Sequence, residues 1–340
     1  MESEAKSVVL KSKVRKSIVL VSPAMREANN GNWHTAQRWS KFLSGHCDTA
    51  LVKSWPPEGD LSSAQAPLAM IALHARRSAG SIRAWAKNCP EKPLIVVLTG
   101  TDLYRDIQHD ADAQKSLESA SHLVVLQEAG LQALPEQWRS KARVIFQSAP
   151  SLKPASRSSQ RFRAVMVGHL RDEKDPLTFM QAAAQLREDN IYLDQIGDAL
   201  DAKFAVQAEE THGQNPHYRW LGGLPRAVTR QRIKRAQVLV NCSLMEGGAH
   251  VILEAVQSGT PVLASRISGN LGMLGADYSG YFPVGDAAAL AGLLRRCAAE
   301  PDFLALLQGQ CTRRAPLFAP DAEQRHVLNL ALSAIDAPSA

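Results

Sequence analysis

The chain has 340 residues, 45% of them hydrophobic and 21% charged, a balance that excludes general disorder and, at roughly 150 residues per domain, suggests two domains. Its net charge of +6 is uneven: Lys6, Lys11, Lys13, Arg15 and Lys16 crowd residues 1–16, which we expect to be a basic, frayed leader because it lacks the apolar core of a secretory signal. No run approaches the ~18 apolar residues of a membrane span, and five scattered cysteines without a C-x-x-C pair argue against a zinc site or a disulfide framework, so no transmembrane segment and a cytoplasmic location are expected.

Residues 17–22 (SIVLVS) read as a strand, followed by a turn near 29–32 and a helix over 35–43. Further strands are predicted at 70–73, 94–98, 123–126 and 144–146, with helices over 78–87 and 111–120. Strands alternating with helices predict parallel βαβ units. The stretch 149–159 is rich in Pro and Ser and has no periodicity, so it reads as a linker.

The rhythm then restarts. Strands are predicted at 164–167, 192–196, 218–221, 238–242 and 261–264, with helices over 176–187, 201–211, 226–236, from 249 onward and over 287–299. This organisation gives a first Rossmann-like domain at 17–150, a linker at 151–160 and a second such domain at 161–315. A terminal segment, 316–340, is helical around 322–335 and is expected to cross back to the first domain. The fold class is α/β, with two doubly wound domains facing each other across a cleft. Ligands of such sheets bind beyond the C-terminal ends of the strands.

The second domain carries the densest chemistry. In Ser243-Leu-Met-Glu-Gly-Gly-Ala-His-Val-Ile-Leu-Glu-Ala, two carboxylates, Glu246 and Glu254, stand in apolar surroundings. A lone carboxylate rarely goes there without a partner. Gly247 and Gly248 allow a ligand close to the backbone, and the helix after them begins with free N–H groups suited to a phosphate. Glu254 lies about a turn and a half into that helix, where a carboxylate can accept hydrogen bonds from a ribose diol. In the first βα turn of the domain, 167–176, Arg171 and Lys174 are placed to face a diphosphate.

These residues resemble the core of GT4-type glycosyltransferases of the GT-B fold. The resemblance rests on Glu246-x7-Glu254 and the Ala-Val-Gln-Ser-Gly-Thr-Pro run after it. Gly168-His-Leu with Lys174, Ile196-Gly-Asp198 and Trp220-Leu-Gly-Gly-Leu-Pro225 follow in the family's order. It implies that Glu254 holds the ribose of a nucleotide sugar, and that Glu246 with the amides of Gly247, Gly248 and Ala249 faces sugar and diphosphate. Arg171 and Lys174 would then meet the phosphates, and Leu224 the base. Gly31 and Asn32 would approach the donor from the first domain. His169 stands where the family commonly has arginine, and the loop expected at 268–274 lacks the usual acidic residue. No metal or cofactor is implied, the UDP-sugar being a co-substrate.

The first domain departs further from ordinary relatives. Ala72-Leu-His-Ala-Arg-Arg-Ser78, Leu98-Thr-Gly-Thr-Asp-Leu-Tyr-Arg-Asp106 and Val144-Ile-Phe-Gln-Ser-Ala149 begin at strand ends, so their polar groups should point into the cleft. His74, Arg76, Arg77 and Arg105 are suited to gathering a small anion. Thr99, Thr101 and Asp102 stand where relatives often carry His-Gly-x-Asp. A core histidine remains an equal reading of His74, and a helix cap an alternative for Asp102. With Leu126-Gln127, the set resembles the selenosugar synthase subgroup of the GT-B enzymes. That resemblance implies a selenophosphate acceptor, a UDP-sugar donor such as UDP-N-acetylglucosamine, a 1-selenosugar product in selenoneine biosynthesis and a functional link to a selenophosphate-producing enzyme.

Two other readings stand beside it: transfer to a hydroxyl acceptor, and a non-catalytic nucleotide-sugar-binding protein. Arg226, Arg230 and Lys234, with Arg232 and Arg235 nearby, make a basic stripe that reads first as a solvated helix face. It has no interleaved aromatics for base stacking, so nucleic acid is not expected as a partner.

Overall fold

The runs AMIAL at 69–73 and LIVVL at 94–98 bury every residue, as strands do in a parallel sheet covered by helices on both faces. The computed structural model describes residues 15–25, 31–57, 66–153 and 155–337. Most of the basic leader, the 29–30 part of the first turn and residues 338–340 lie outside them.

Among the described residues the first sheet comprises β1 (Lys16–Val21), β2 (Cys47–Val52), β3 (Ala69–Leu73), β4 (Leu94–Leu98), β5 (His122–Val125) and β6 (Ala142–Val144), in the order β2-β1-β3-β4-β5-β6. The second comprises β7 (Phe162–Val167), β8 (Ile191–Ile196), β9 (Tyr218–Trp220), β10 (Val238–Asn241), β11 (Val262–Ser265) and β12 (Tyr281–Phe282), ordered β12-β11-β10-β7-β8-β9. Every pairing is parallel. In each sheet the strand order reverses beside the domain's first strand, which opens a crevice at the strands' C-terminal ends.

Three edge strands differ from expectation, β12 being only two residues long and so without a readable pattern. β2 (CDTALV) is half exposed along most of its length, so it lacks the continuous apolar run that marks a central strand. β6 ends at Val144, and residues 145–149 instead run on as extended chain that pairs Ala149 N–H with the carbonyl of Phe318 at 3.2 Å. The helix Pro301–Arg314 is not expected either, because its apolar side is short, and 268–274, expected as a loop, forms the helix Ser268–Leu274 despite its two glycines.

The terminal helix Pro320–Asp336 packs on the first domain. Val327, Ala331 and Ala334 share a core with Ile18, Leu20, Ala36 and Trp39. The anchor is polar: Glu323, 1% exposed, accepts from Arg38 at 2.7 and 2.9 Å, from Trp39 Nε1 at 2.7 Å and from the Ser148 hydroxyl at 2.5 Å.

Candidate functional site

Loops at the C-terminal ends of the two sheets enclose a cavity of about 310 Å³. The first domain contributes Gly31, Asn32, His74, Arg77, Thr99 and Thr101 to its lining, and the second His169, Arg171, Lys174, Glu246, Gly247 and Gly248. Twelve of the expected site residues therefore meet in one place.

The second-domain wall is organised by Glu246. Its carboxylate is 8% exposed and accepts from Lys174 Nζ at 2.5 Å, the Ser243 hydroxyl at 2.6 Å and Asn241 Nδ2 at 3.4 Å. Burial alone would raise its pKa, but the Lys174 ammonium and these donors outweigh that and hold it below the ordinary carboxylate value. Lys174 is presented by the turn after β7, where Asp175 takes a left-handed backbone (φ 44°) and caps the helix Pro176–Gln185. Sequence and packing together thus aim one cation at the buried carboxylate.

Glu254 sits deeper, behind His250, and does not itself line the cavity. Arg226 grips its Oε1 at 3.1 and 2.9 Å, and His250 Nδ1 lies 3.4 Å from the same oxygen. Burial opposes ionisation here too, yet His250 and Arg226 hold the carboxyl at about 2. Two members of this group went unrecognised in the sequence. In the sequence Arg226 reads as part of a solvated stripe, and His250 stands out only by its i, i+4 spacing from Glu254. His250 Nε2 is buried without a hydrogen-bond partner among the described residues, at the cavity wall.

Two buried carboxylates with lowered pKa make stability pH-dependent. A depressed carboxyl contributes stability above its unfolded value of 4.5, and this is lost as pH falls through the folded value. For Glu254 the window runs from 4.5 down to about 2, worth on the order of 3 kcal/mol. Urea midpoints between pH 6 and pH 3 are expected to fall less steeply in Glu254→Gln than in the parent; equal slopes would contradict this.

On the first-domain wall, His74 adopts φ 71°, a left-handed conformation that is costly for a residue with a side chain. Its Nδ1 accepts from the Arg77 backbone N–H at 3.3 Å and its Nε2 lies 3.1 Å from the Thr101 hydroxyl, so the proton is assigned to Nε2. Burial lowers its pKa, with Asp102 opposing, which leaves a neutral ring at pH 7.

The other expected first-domain residues divide. Arg77, Thr99 and Thr101 reach the cavity. Asp102 does not: fully buried, it accepts the backbone N–H groups of Ala75 at 3.0 Å, Thr99 at 2.8 Å and Gly100 at 3.0 Å, and so ties the two cleft loops together. Arg76 turns to Asp106 at 3.2 Å, and Arg105 sits at the rim between Asp106 and Glu173 of the opposite domain. Leu224 packs at the edge of the second core, outside the cavity lining. Gln147 reaches the cavity as expected of its strand-end motif, and Thr35, joined to it at 2.5 Å, lines the cavity without having been singled out in the sequence.

The domains touch directly across the cleft. The Gly100 and Gly247 backbones are packed so closely that a Cβ on Gly100 would lie 3.0 Å from Gly247 N. Tyr104 reaches Ser268 at 3.1 Å, and Arg314 meets Glu128 at 3.0 Å. The geometry is that of a closed cleft with cations from both walls facing one space.

Comparison with known proteins agrees with this architecture. Residues 150–308 match the family model of glycosyl transferases group 1. Glycosyltransferase 1 domain-containing protein 1 of Xenopus tropicalis is 36% identical over 108 residues, 31% of this chain and 31% of its own length. An Escherichia coli UDP-Gal:alpha-D-GlcNAc-diphosphoundecaprenol alpha-1,3-galactosyltransferase is 30% identical over 132 residues, 35% of this chain and 32% of its own. The matched region thus spans about a third of each curated relative. Two solved structures superpose over nearly all of the chain. Sucrose-phosphate synthase from Thermosynechococcus elongatus has a TM-score of 0.76 at 17% identity, covering 94% of this chain and 99% of that one. Anabaena Alr3699/HepE in complex with UDP and glucose has a TM-score of 0.71 at 16% identity, covering 93% and 99%. The fold is GT-B, and the match to the glycosyl transferases group 1 model falls on the second domain.

Proposed function

We propose that this protein is a glycosyltransferase that takes a sugar from a UDP-sugar, favoured as UDP-N-acetylglucosamine, and passes it to selenophosphate. The observation that carries the acceptor reading is the composition of the cleft. Arg77, Thr99 and Thr101 on one wall face Arg171 and Lys174 on the other. Among the described lining residues there is no Trp, Tyr or Phe to serve as a platform for a glycan. Such a space suits two anions, a diphosphate and a small phosphorylated nucleophile.

In this reading the selenium lone pair attacks the anomeric carbon and the bond from that carbon to the diphosphate oxygen breaks. UDP leaves with the electron pair, its charge stabilised by Arg171 and Lys174. Water then cleaves the P–Se bond to release phosphate and the 1-selenosugar. The cations of the chain supply the charge stabilisation, so no metal or other cofactor is required; activity is expected to survive EDTA. Lys174 would exchange its contact with Glu246 for the diphosphate, which frees Glu246 to face the sugar. Arg226 and His250 engage Glu254 through Oε1; we assign Oε2 to the ribose diol. We place the reaction in the cytoplasm, which the five free cysteines suit. Among the described residues no helix is long and apolar enough to cross a membrane.

Purified protein given UDP-N-acetylglucosamine and selenophosphate should release UDP and yield a selenium-containing sugar by mass spectrometry. UDP release only with a hydroxyl acceptor would instead favour the reading suggested by the Escherichia coli galactosyltransferase. Glu254→Ala is expected to weaken UDP-sugar binding by roughly 10- to 100-fold, the loss of a hydrogen bond to a charged group. An unchanged dissociation constant by calorimetry would remove Glu254 from the ribose site.

A further inference from the structure

The helix Arg226–Arg235, which connects β9 to β10, covers one face of the second sheet with unusually little apolar surface; among its residues only Thr229 and Ile233 are buried. Beneath its C-terminal half lies a crevice of about 460 Å³, none of whose lining residues lines the cleft cavity. Four guanidinium groups line it: Arg163 from β7, Arg219 from β9, and Arg232 and Arg235 from the helix. The crevice holds one carboxylate, Asp194 of β8, which is 4% exposed.

Asp194 cannot balance this set. Arg219 takes it at short range, with contacts of 2.6 and 2.9 Å, while Arg163 and Arg232 each stand 3.7 Å away. Arg163 Nη1 is buried with no hydrogen-bond partner among the described residues. Its guanidinium also stacks over the Tyr192 ring at 5.4 Å, which fixes its plane. Four cations against one anion in a half-enclosed crevice repel one another, and an arginine fork left unpaired is suited to two phosphate oxygens. The arginines are distributed over two strands and a helix, so the fold itself assembles the cluster. Lys234 of the sequence's basic stripe is absent from the lining, and Arg226 and Arg230 of that stripe point elsewhere, to Glu254 and to the carbonyl of Pro150.

We propose that this crevice is a second anion site, separate from the cleft, that binds a phosphate or diphosphate group of a small molecule. The bound oxygens would bridge Arg163, Arg232 and Arg235 and complete the charge balance that Asp194 begins.

The probe is inorganic pyrophosphate, titrated by calorimetry into the full chain with the cleft already saturated by UDP. A second binding event is expected, weakened at least tenfold in Arg163→Gln/Arg232→Gln, with UDP affinity unchanged in that variant. Its circular dichroism melt should match the parent, which keeps a loss of fold distinct from a loss of binding. A parallel arm measures co-sedimentation with phosphatidylcholine vesicles containing phosphatidylglycerol. If vesicles bind the parent and not the variant, the phosphate belongs to a lipid headgroup. No pyrophosphate or vesicle binding beyond UDP, or binding that the double substitution leaves intact, would overturn the site.

Discussion

Glu323→Ala is expected to destabilise the first domain by about 3–5 kcal/mol, the cost of removing one partner from a buried ion pair. The side chain of Glu323 is fully buried and that of Arg38 is 16% exposed, so the substitution strands a guanidinium, the Trp39 indole N–H and the Ser148 hydroxyl together. Trp39 is itself the reporter: being 0% exposed and bonded to the carboxylate, its fluorescence should follow the loss. The urea midpoint is expected to fall sharply, and the helix Pro320–Asp336 should become sensitive to limited proteolysis. Glu323→Gln keeps the shape without the charge and should lie between. Replacing both partners, Arg38→Leu with Glu323→Leu, should recover much of the loss, since two apolar groups leave no charge buried. A loss below about 1 kcal/mol in Glu323→Ala would mean that the terminal helix is held by its apolar face alone.

That anchor illustrates which parts of the molecule are legible in sequence. The central strands are readable because both of their faces are covered, so β3 and β4 appear as uninterrupted apolar runs. The edge strand β2 is not, since solvent on one side permits Asp48 and Thr49 within it. At the site, the residues from Glu246 to Glu254 are readable because their chemistry is local, one turn feeding one helix. Asp102 misleads for the opposite reason. Its place after a strand end resembles a cleft residue, but its carboxylate turns inward to three backbone N–H groups, two of them from its own turn and one from a loop 27 residues away. Arg226 is likewise ambiguous, because a stripe on a helix says nothing of the buried carboxylate that another helix brings to it. Contacts between the domains, such as Arg105 with Glu173 and Tyr104 with Ser268, depend on how two separate sheets are set against each other. No local pattern encodes that.

The same dependence makes Gly247→Ala the most informative substitution for activity. Gly247 has no left-handed φ to protect, so alanine is tolerated by its own backbone. What it lacks is room: the added Cβ would overlap the Thr99 carbonyl group and lie 2.6 Å from Gly100 N. These are backbone atoms, held by Asp102, and they cannot swing aside as a side-chain tip can. The cleft must open by about an ångström, which separates Thr99 and Thr101 from Lys174 and Glu246. A displacement of that size at a reacting centre costs on the order of 10²-fold in rate. On the proposed function, kcat is expected to fall about that much while UDP, whose proposed contacts lie mainly on the second domain, keeps nearly its parent affinity. Small-angle scattering with UDP bound should show a larger radius of gyration than the parent. Gly213→Ala, where a Cβ meets nothing within 4 Å, is the control that should leave both quantities unchanged. If Gly247→Ala retains full kcat, then the closed contact between Thr99 and Gly247 is not the arrangement in which the reaction occurs, and the acceptor wall must be sought in a more open cleft.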